Sequence, residues 1–166
     1  MIDALYRASG AGVPIDLSVR GLCRLRPGIP ELSENILVRS LVGSFLEHSR
    51  IYRFGGMPKD PDAGPGLPLK LYIGSADLMG RNLDRRVEVL VPIGDPELQS
   101  RLFEVLDLVL ADETNTWQLG SDRRWRRVEN VHGLSAQGRL KALAIERARR
   151  RRESDLFGGD EERVDG

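Results

Sequence analysis

The run RRVEVLVPIGDPELQSRLFEVLDLVLAD, residues 85–112, constrains the fold more than any other part of the chain. Its first part alternates Val87, Val89 and Val91 against Arg86, Glu88 and Leu90, the period of two expected of a strand with unlike faces. Asp95 then stands as an N-cap with Pro96 in the first turn. Leu98, Leu102, Val105, Leu106 and Val109 follow at helical spacing and make one apolar stripe. A strand leading into a capped amphipathic helix is a unit of α/β architecture.

The other segments extend that pattern. MIDALYRASGAGV reads as a helix with Ile2, Leu5 and Tyr6 on one side, ending between Ser9 and Gly12. VPIDLSVR reads as a strand, with Ile15, Leu17 and Val19 on one face and Asp16, Ser18 and Arg20 on the other. GLCRLRPGIPELSEN is a Pro/Gly-punctuated loop. A strand is expected from Ile36 to Val42, then a helical turn to Glu47, then a strand over SRIYRF. GGMPKDPDAGPGLPLK reads as a mobile hairpin loop. Strands over LKLYIGSAD and TNTWQL and a basic helix from about Ser135 to Arg152 complete the set. The order implies an α/β fold, a mixed β-sheet flanked by helices, over residues 1–152, with a disordered acidic tail at 153–166. A chain of 166 residues that is 40% hydrophobic has room for one real core, and with only 5% aromatics that core must be aliphatic.

A formal net charge of zero exerts no overall pull towards nucleic acid or membrane. The basic residues are nevertheless clustered: Arg123, Arg124, Arg126 and Arg127 form one group, Arg147 and Arg149 to Arg152 another, and both read most simply as solvated surface. Cys23 is the single cysteine, which rules out an internal disulfide and any multi-cysteine metal site and points to a reducing, cytoplasmic setting. No apolar run is long enough to span a membrane, and no signal peptide opens the chain. The opening helix starts without a cap, so a piece of a longer polypeptide is expected.

Polar residues collect where strands end. His48 and Arg50 share parity and leave one face of a strand; Gly74 to Asp77, spelling GSAD, closes another strand, with Arg81, Arg85 and Arg86 just beyond; Arg20 ends the first strand. Strand ends are where ligand crevices form in α/β sheets. One imidazole among several guanidiniums suits phosphoryl chemistry. Arginine stays charged and grips phosphate oxygens in a fork, and histidine exchanges protons near neutral pH. Glu88, from its parity, is the candidate carboxylate to orient the ring. Each residue also has a plainer reading. A lone histidine at a strand edge can be structural, and Arg81, Arg85 and Arg86 can pair in solvent with Asp84 and Glu88. His132 reads as surface, and Trp117 and Trp125 as packing residues. These residues alone leave phosphate binding open and the reaction undetermined.

EHSRIYRFG followed by YIGSAD resembles a half-motif of the phospholipase D superfamily, where a His-x-Lys segment precedes a Gly-Ser-x-Asn segment and two halves face one active site. Here Arg50 stands for the lysine and Asp77 for the asparagine. Those departures match one branch. The linked motifs VRG, LRPG, SENI, EHSR, SAD and RNLDRRVEV, over about residues 2 to 145, resemble the C-terminal catalytic domain of the long-chain bacterial polyphosphate kinases. Leu78, where that family usually carries tryptophan, and the proline-rich loop at 56–68 depart from it. The resemblance implies a phospholipase D-like fold and reversible transfer of the terminal phosphate of ATP to polyphosphate. It also implies a phosphohistidine and Mg2+-linked arginines in upstream domains outside this chain, and a homo-oligomer at full length. It makes His48 the second active-site histidine and Arg20 and Arg86 the nucleotide- and phosphate-binding arginines, with Arg50, Arg81, Asp77 and Glu88 in support; no residue of this chain is assigned to a metal. It further implies that the chain by itself is inactive, with half of its site elsewhere. Two other readings stay open: a phospholipase D-type phosphodiesterase or nuclease half-site, and a non-enzymatic module whose basic helix at 135–152 binds polyanions.

Overall fold

The inward residues of the first strand decide where the core lies. In the computed structural model, which describes residues 1–56 and 67–157, Ile15 and Leu17 of β1 (Ile15–Ser18) are half-buried and Asp16 and Ser18 are exposed. Strand β1 pairs in parallel with β2 (Ile36–Leu41), bringing Leu17 beside Val38. Against β2 runs β6 (Thr116–Leu119), antiparallel, and against β6 runs β7 (Trp125–Arg127). This four-stranded mixed sheet buries Ile36, Val38 and Leu119 together with Leu25 of the 21–35 loop. Helix α1 (Ile2–Gly10) lays Ile2, Leu5 and Tyr6 over that cluster.

The other three strands form a separate antiparallel ribbon, β3 (Ile51–Gly56), β4 (Leu67–Gly74) and β5 (Leu90–Pro92). Cross-strand pairs share a face, so Arg53 and Leu71 point one way and Phe54, Tyr52 and Tyr72 the other. The first face meets α3 (Pro96–Ala111): Leu71 is buried, and the Arg53 guanidinium lies 4.9 Å from the centre of the Phe103 ring. On the second face Phe54 and Tyr72 meet edge to face at 6.3 Å.

Helix α3 begins as its sequence requires, with the Asp95 carboxylate accepting from the Leu98 N–H at 2.9 Å and Pro96 at the first position. At its other end the Arg39 guanidinium donates to the Leu110 carbonyl, a cation where the helix dipole favours one. Asp112 then joins three elements. Its buried carboxylate accepts from the Asn115 N–H at 2.7 Å and the Thr116 hydroxyl at 3.1 Å, and its other oxygen accepts from the Ala136 N–H at 2.7 Å. Ala136 opens α4 (Ala136–Phe157), whose first turn is also capped by the Ser135 hydroxyl on the Gly138 N–H.

Several expectations are corrected. The helical turn at 43–47 is an irregular bend. The strand over RRVEVLVPI shrinks to Leu90–Pro92: Gly80–Leu83 forms a short helix, α2, Glu88 is taken by the Ser75 and Asn82 side chains, and Val89 bonds Ser75 through one backbone bond and one to its hydroxyl. Glu88 is therefore not on a strand, and Arg20 lies two residues beyond the end of β1. Strand β7 was not expected; it pairs back on β6 through a tight turn at 120–124. Helix α4 runs to Phe157, past the boundary read at 152. Most of the proline-rich loop and residues 158–166 of the tail lie outside the described residues.

Asp112→Ala leaves three donors without their acceptor, at roughly 1–3 kcal/mol for each that stays unsatisfied. The expected result is a lower urea midpoint at unchanged slope, with Asp112→Asn losing less because its amide oxygen keeps part of the set.

Candidate functional site

Two residues that sequence patterns do not single out deliver His48. Gln137, in the first turn of α4, donates from Nε2 to the Phe45 carbonyl at 2.8 Å and the Glu47 carboxylate at 2.6 Å, and its Oε1 accepts from the Phe45 N–H at 3.0 Å. A Cβ on Gly43 would lie 2.3 Å from that Oε1, so a side chain there would push the Gln137 amide out of this clamp. The clamp fixes residues 43–47, and His48 emerges from it with an exposed side chain just ahead of β3.

Arg50 binds the two motif halves together. Its Nε and Nη2 reach Asp77 Oδ1 at 3.1 and 3.0 Å, 27 positions along the chain. Its Nη1 donates to the His48 carbonyl at 3.0 Å and stands 3.1 Å from His48 Nδ1. Its Nη2 stands 3.4 Å from His48 Nε2 as well; arginine has no lone pair to offer, so in either contact the ring nitrogen is the acceptor. The half-buried Arg50 is thereby occupied by Asp77 and His48, as a positioning group and not a free anion receptor.

The GSAD turn is held from the other side. Ser75 donates its hydroxyl to the Glu88 carboxylate and accepts from the Val89 N–H at 2.9 Å, while Asn82 of α2 donates to the second Glu88 oxygen at 3.1 Å. Glu88 thus braces the turn that carries Asp77; its carboxylate bonds Ser75 and Asn82, not the imidazole ring expected from parity. Gly74 sits in a tight spot: a Cβ would lie 3.1 Å from the Tyr52 ring and 3.3 Å from the Val89 carbonyl, closer than either neighbour allows without shifting. Tyr52 in turn donates its hydroxyl to the Ala76 carbonyl at 2.9 Å. Burial pushes its phenol above the ordinary tyrosine range; Arg50 opposes that push, and Asp77 and Glu88 add to it. The same three charges therefore surround one ring.

His48, Arg50 and Asp77 come together as their spacing suggests, and Glu88 joins through Ser75. Arg20, Arg81 and Arg86 are exposed and have no bonded partner among the described residues, which leaves their guanidiniums available to a ligand. Sequence reasoning missed Tyr52, Asn82 and Gln137. Tyr52 shares the parity of His48 and Arg50, which was a usable signal; Gln137 lies 92 positions from Phe45 and carried none. Among the described residues, no three His, Cys, Asp or Glu side chains converge to hold a metal ion.

A mixed sheet and antiparallel ribbon flanked by helices, with a histidine and arginine leading one strand and a Gly-Ser-x-Asp turn closing the next, define a phospholipase D-like α/β domain. Comparison with known proteins narrows this. The description "Polyphosphate kinase C-terminal domain 2" matches residues 1–137, and the chain belongs to that family. It is 46% identical over 156 residues to the polyphosphate kinase of Streptomyces coelicolor, matching 92% of this chain and 19% of that protein. It is 53% identical over 131 residues to polyphosphate kinase 1 of Chlorobaculum tepidum, matching 78% of this chain and 17% of the relative. The crystal structure of polyphosphate kinase from Porphyromonas gingivalis superposes with a TM-score of 0.75 at 36% identity, over 88% of this chain and 21% of that one. The chain thus spans about a fifth of the length of these relatives. No helix among the described residues is long and apolar enough to cross a membrane.

The Tyr52 shift makes a pH prediction. A phenol whose pKa is raised on folding stabilises the fold fully below its unfolded pKa, and that contribution disappears as pH climbs through the higher folded value. Melting temperature is therefore expected to fall above about pH 10, and Tyr52→Phe should flatten that alkaline limb. A thermal-melt series from pH 8 to 12 on both proteins measures it.

Proposed function

We propose that this chain supplies one half of a phosphoryl-transfer site that moves the terminal phosphate of ATP to and from inorganic polyphosphate. The polypeptide that its relatives carry outside the matched region supplies the other half, including the covalent histidine and any Mg2+ ligands. One observation carries the reading: His48 is exposed while its ring is held by an arginine that is itself tied to Asp77. A ring fixed in this way meets a reacting phosphate in one orientation, which is what proton transfer in a transition state needs.

In this reading the protonated His48 ring gives a proton to the departing phosphate oxygen in one direction, and the neutral ring takes it back in the other. Arg20 and Arg86 hold the phosphate oxygens between donor and acceptor, where forked guanidiniums offset charge as it shifts. Arg81 is a further cation without a bonded partner among the described residues, whereas Arg50, Asp77 and Glu88 position the reacting residues. Nucleotide and polyphosphate substrates fit a cytoplasmic setting and assembly with further copies of the enzyme, both of which belong to the proposal.

The test supplies the remaining domains in trans or in cis and follows polyphosphate formed from ATP. His48→Ala is expected to lower kcat by roughly 10²- to 10⁴-fold, the usual contribution of a positioned acid–base group. Arg86→Ala should act mainly on KM for the phosphate substrate. Full activity of His48→Ala would remove the proposal, as would long polyphosphate made by the 166-residue chain alone. Hydrolysis of a phosphodiester that depends on His48 would favour the nuclease reading instead.

A further inference from the structure

The arginine cluster at 123–127 plays no part in the site above, yet Arg123 lines a cavity beside the aliphatic core. A space of about 420 Å³ lies between the 22–27 loop and the turn joining β6 to β7, within the roughly 300–1,000 Å³ of small-molecule sites. Leu25, Pro27 and Leu119 form its apolar floor, and the half-buried Trp125 forms one side. Arg24, Arg26 and Arg123 line it, and no carboxylate does.

The charge is left uncompensated by local bonding. Asp122, the adjacent acid, is committed elsewhere: both its oxygens take the Arg126 guanidinium, at 3.0 and 2.5 Å, and one also accepts the Arg124 N–H at 3.1 Å. The guanidiniums of Arg24 and Arg123 have no bonded partner among the described residues. Arg26 uses only Nε of its guanidinium, donated to the Ser121 carbonyl at 2.6 Å, which leaves both terminal nitrogens free.

The frame is stiff. The backbone of Arg26 is tied at both ends, its N–H to the Tyr6 hydroxyl at 2.8 Å and its carbonyl to the Ser33 hydroxyl at 2.6 Å. Across the cavity, the Arg123 N–H bonds the Gly120 carbonyl and the Gly120 N–H bonds the Arg124 carbonyl, both at 2.9 Å. That turn ends with Arg123 in the left-handed region at φ 65, the position such hairpins usually give to glycine. An arginine is thus kept where the backbone disfavours it, and what it adds there is a guanidinium beside the cavity.

We infer that this cavity binds a ligand carrying two or more linked phosphates, gripped by Arg24, Arg26 and Arg123 above the Trp125 ring. Forked guanidiniums match phosphate oxygens, and the aromatic wall accepts either a base or the hydrophobic stems of the arginines. Cys23 contributes an inert wall: burial pushes its thiol up and keeps it protonated. The inference rests on the charge and shape of the cavity and not on the role proposed for His48. The ligand chemistry has two sources, an inorganic oligophosphate or the phosphate tail of a nucleotide.

Trp125 reports on the site directly. With Trp117→Phe as background it is the sole tryptophan, and its fluorescence in the 166-residue chain can be titrated with tripolyphosphate, ADP and sulfate. A saturable change is expected with tripolyphosphate or ADP, whichever is the source, and a far weaker one with sulfate. Arg24→Gln with Arg123→Gln should weaken binding at least tenfold, and His48→Ala should leave it unchanged. Arg123→Gly separates binding from folding: it should raise the melting temperature by relieving the turn while weakening the ligand. Absence of saturation with both phosphates, equal binding of sulfate, or undiminished affinity in the arginine variants would overturn the inference. So would loss of the Trp125 signal in His48→Ala, which would make the cavity part of the other site. Loss of polyphosphate synthesis in His48→Ala with the Trp125 titration intact leaves both proposals standing and independent.

Discussion

The buried Asp112 carboxylate is the junction on which the rest of the arrangement depends. It ends α3, starts β6 through Asn115 and Thr116, and sets the first residue of α4 through the Ala136 N–H. The next residue of that helix, Gln137, grips the backbone of Phe45 and the side chain of Glu47. A chain of hydrogen bonds therefore runs from the middle of the fold to the segment that presents His48. Buried polar chains of this kind are costly when broken and specific when complete, which suits a device that must hold one side chain in one place.

Packing and positioning are divided between two regions. The mixed sheet, α1 and the 21–35 loop bury the aliphatic cluster of Leu25, Ile36, Val38 and Leu119, and there the hydrophobic effect dominates. The ribbon of β3, β4 and β5 buries little beyond Leu71, and Ile73, Leu90 and Val91 remain exposed along it. Its end carrying the GSAD turn is kept in shape by directional bonds instead: Ser75 and Asn82 on Glu88, Tyr52 on Ala76, and Arg50 on Asp77. A ribbon held this way can keep His48, Arg50 and Asp77 aligned while Leu78, Val87, Val89 and Leu90 stay uncovered beside them. The exposed apolar surface sits in a chain that spans about a fifth of its relatives.

Much of the fold was legible because it follows short-range rules. The cap at Asp95, the stripe of α3, the alternation of β1 and the first helix all appear where their local patterns put them. The His48, Arg50 and Asp77 grouping was also readable, since two adjacent strands of a hairpin bring their ends together. The errors fall where alternation met competing polar bonds. Residues 85–93 read as a strand, yet Glu88 and Val89 were taken by the Ser75 turn, and only Leu90–Pro92 joined the ladder. The segment 43–47 read as a helical turn, but Gln137 satisfies its backbone from 92 positions away.

The α/β class and the helix and strand starts that depend on caps and period are written in the sequence alone. These are set by neighbours within a few positions, whose sterics and hydrogen bonds are the same in any context. Only the tertiary structure decided that the strands divide into two sheets, that Arg50 is spent on Asp77 and His48 while Arg20 and Arg86 stay free, and that Arg24, Arg26 and Arg123 line one cavity. Those outcomes depend on which distant donors meet which acceptors once the chain has closed, and no local pattern carries that information.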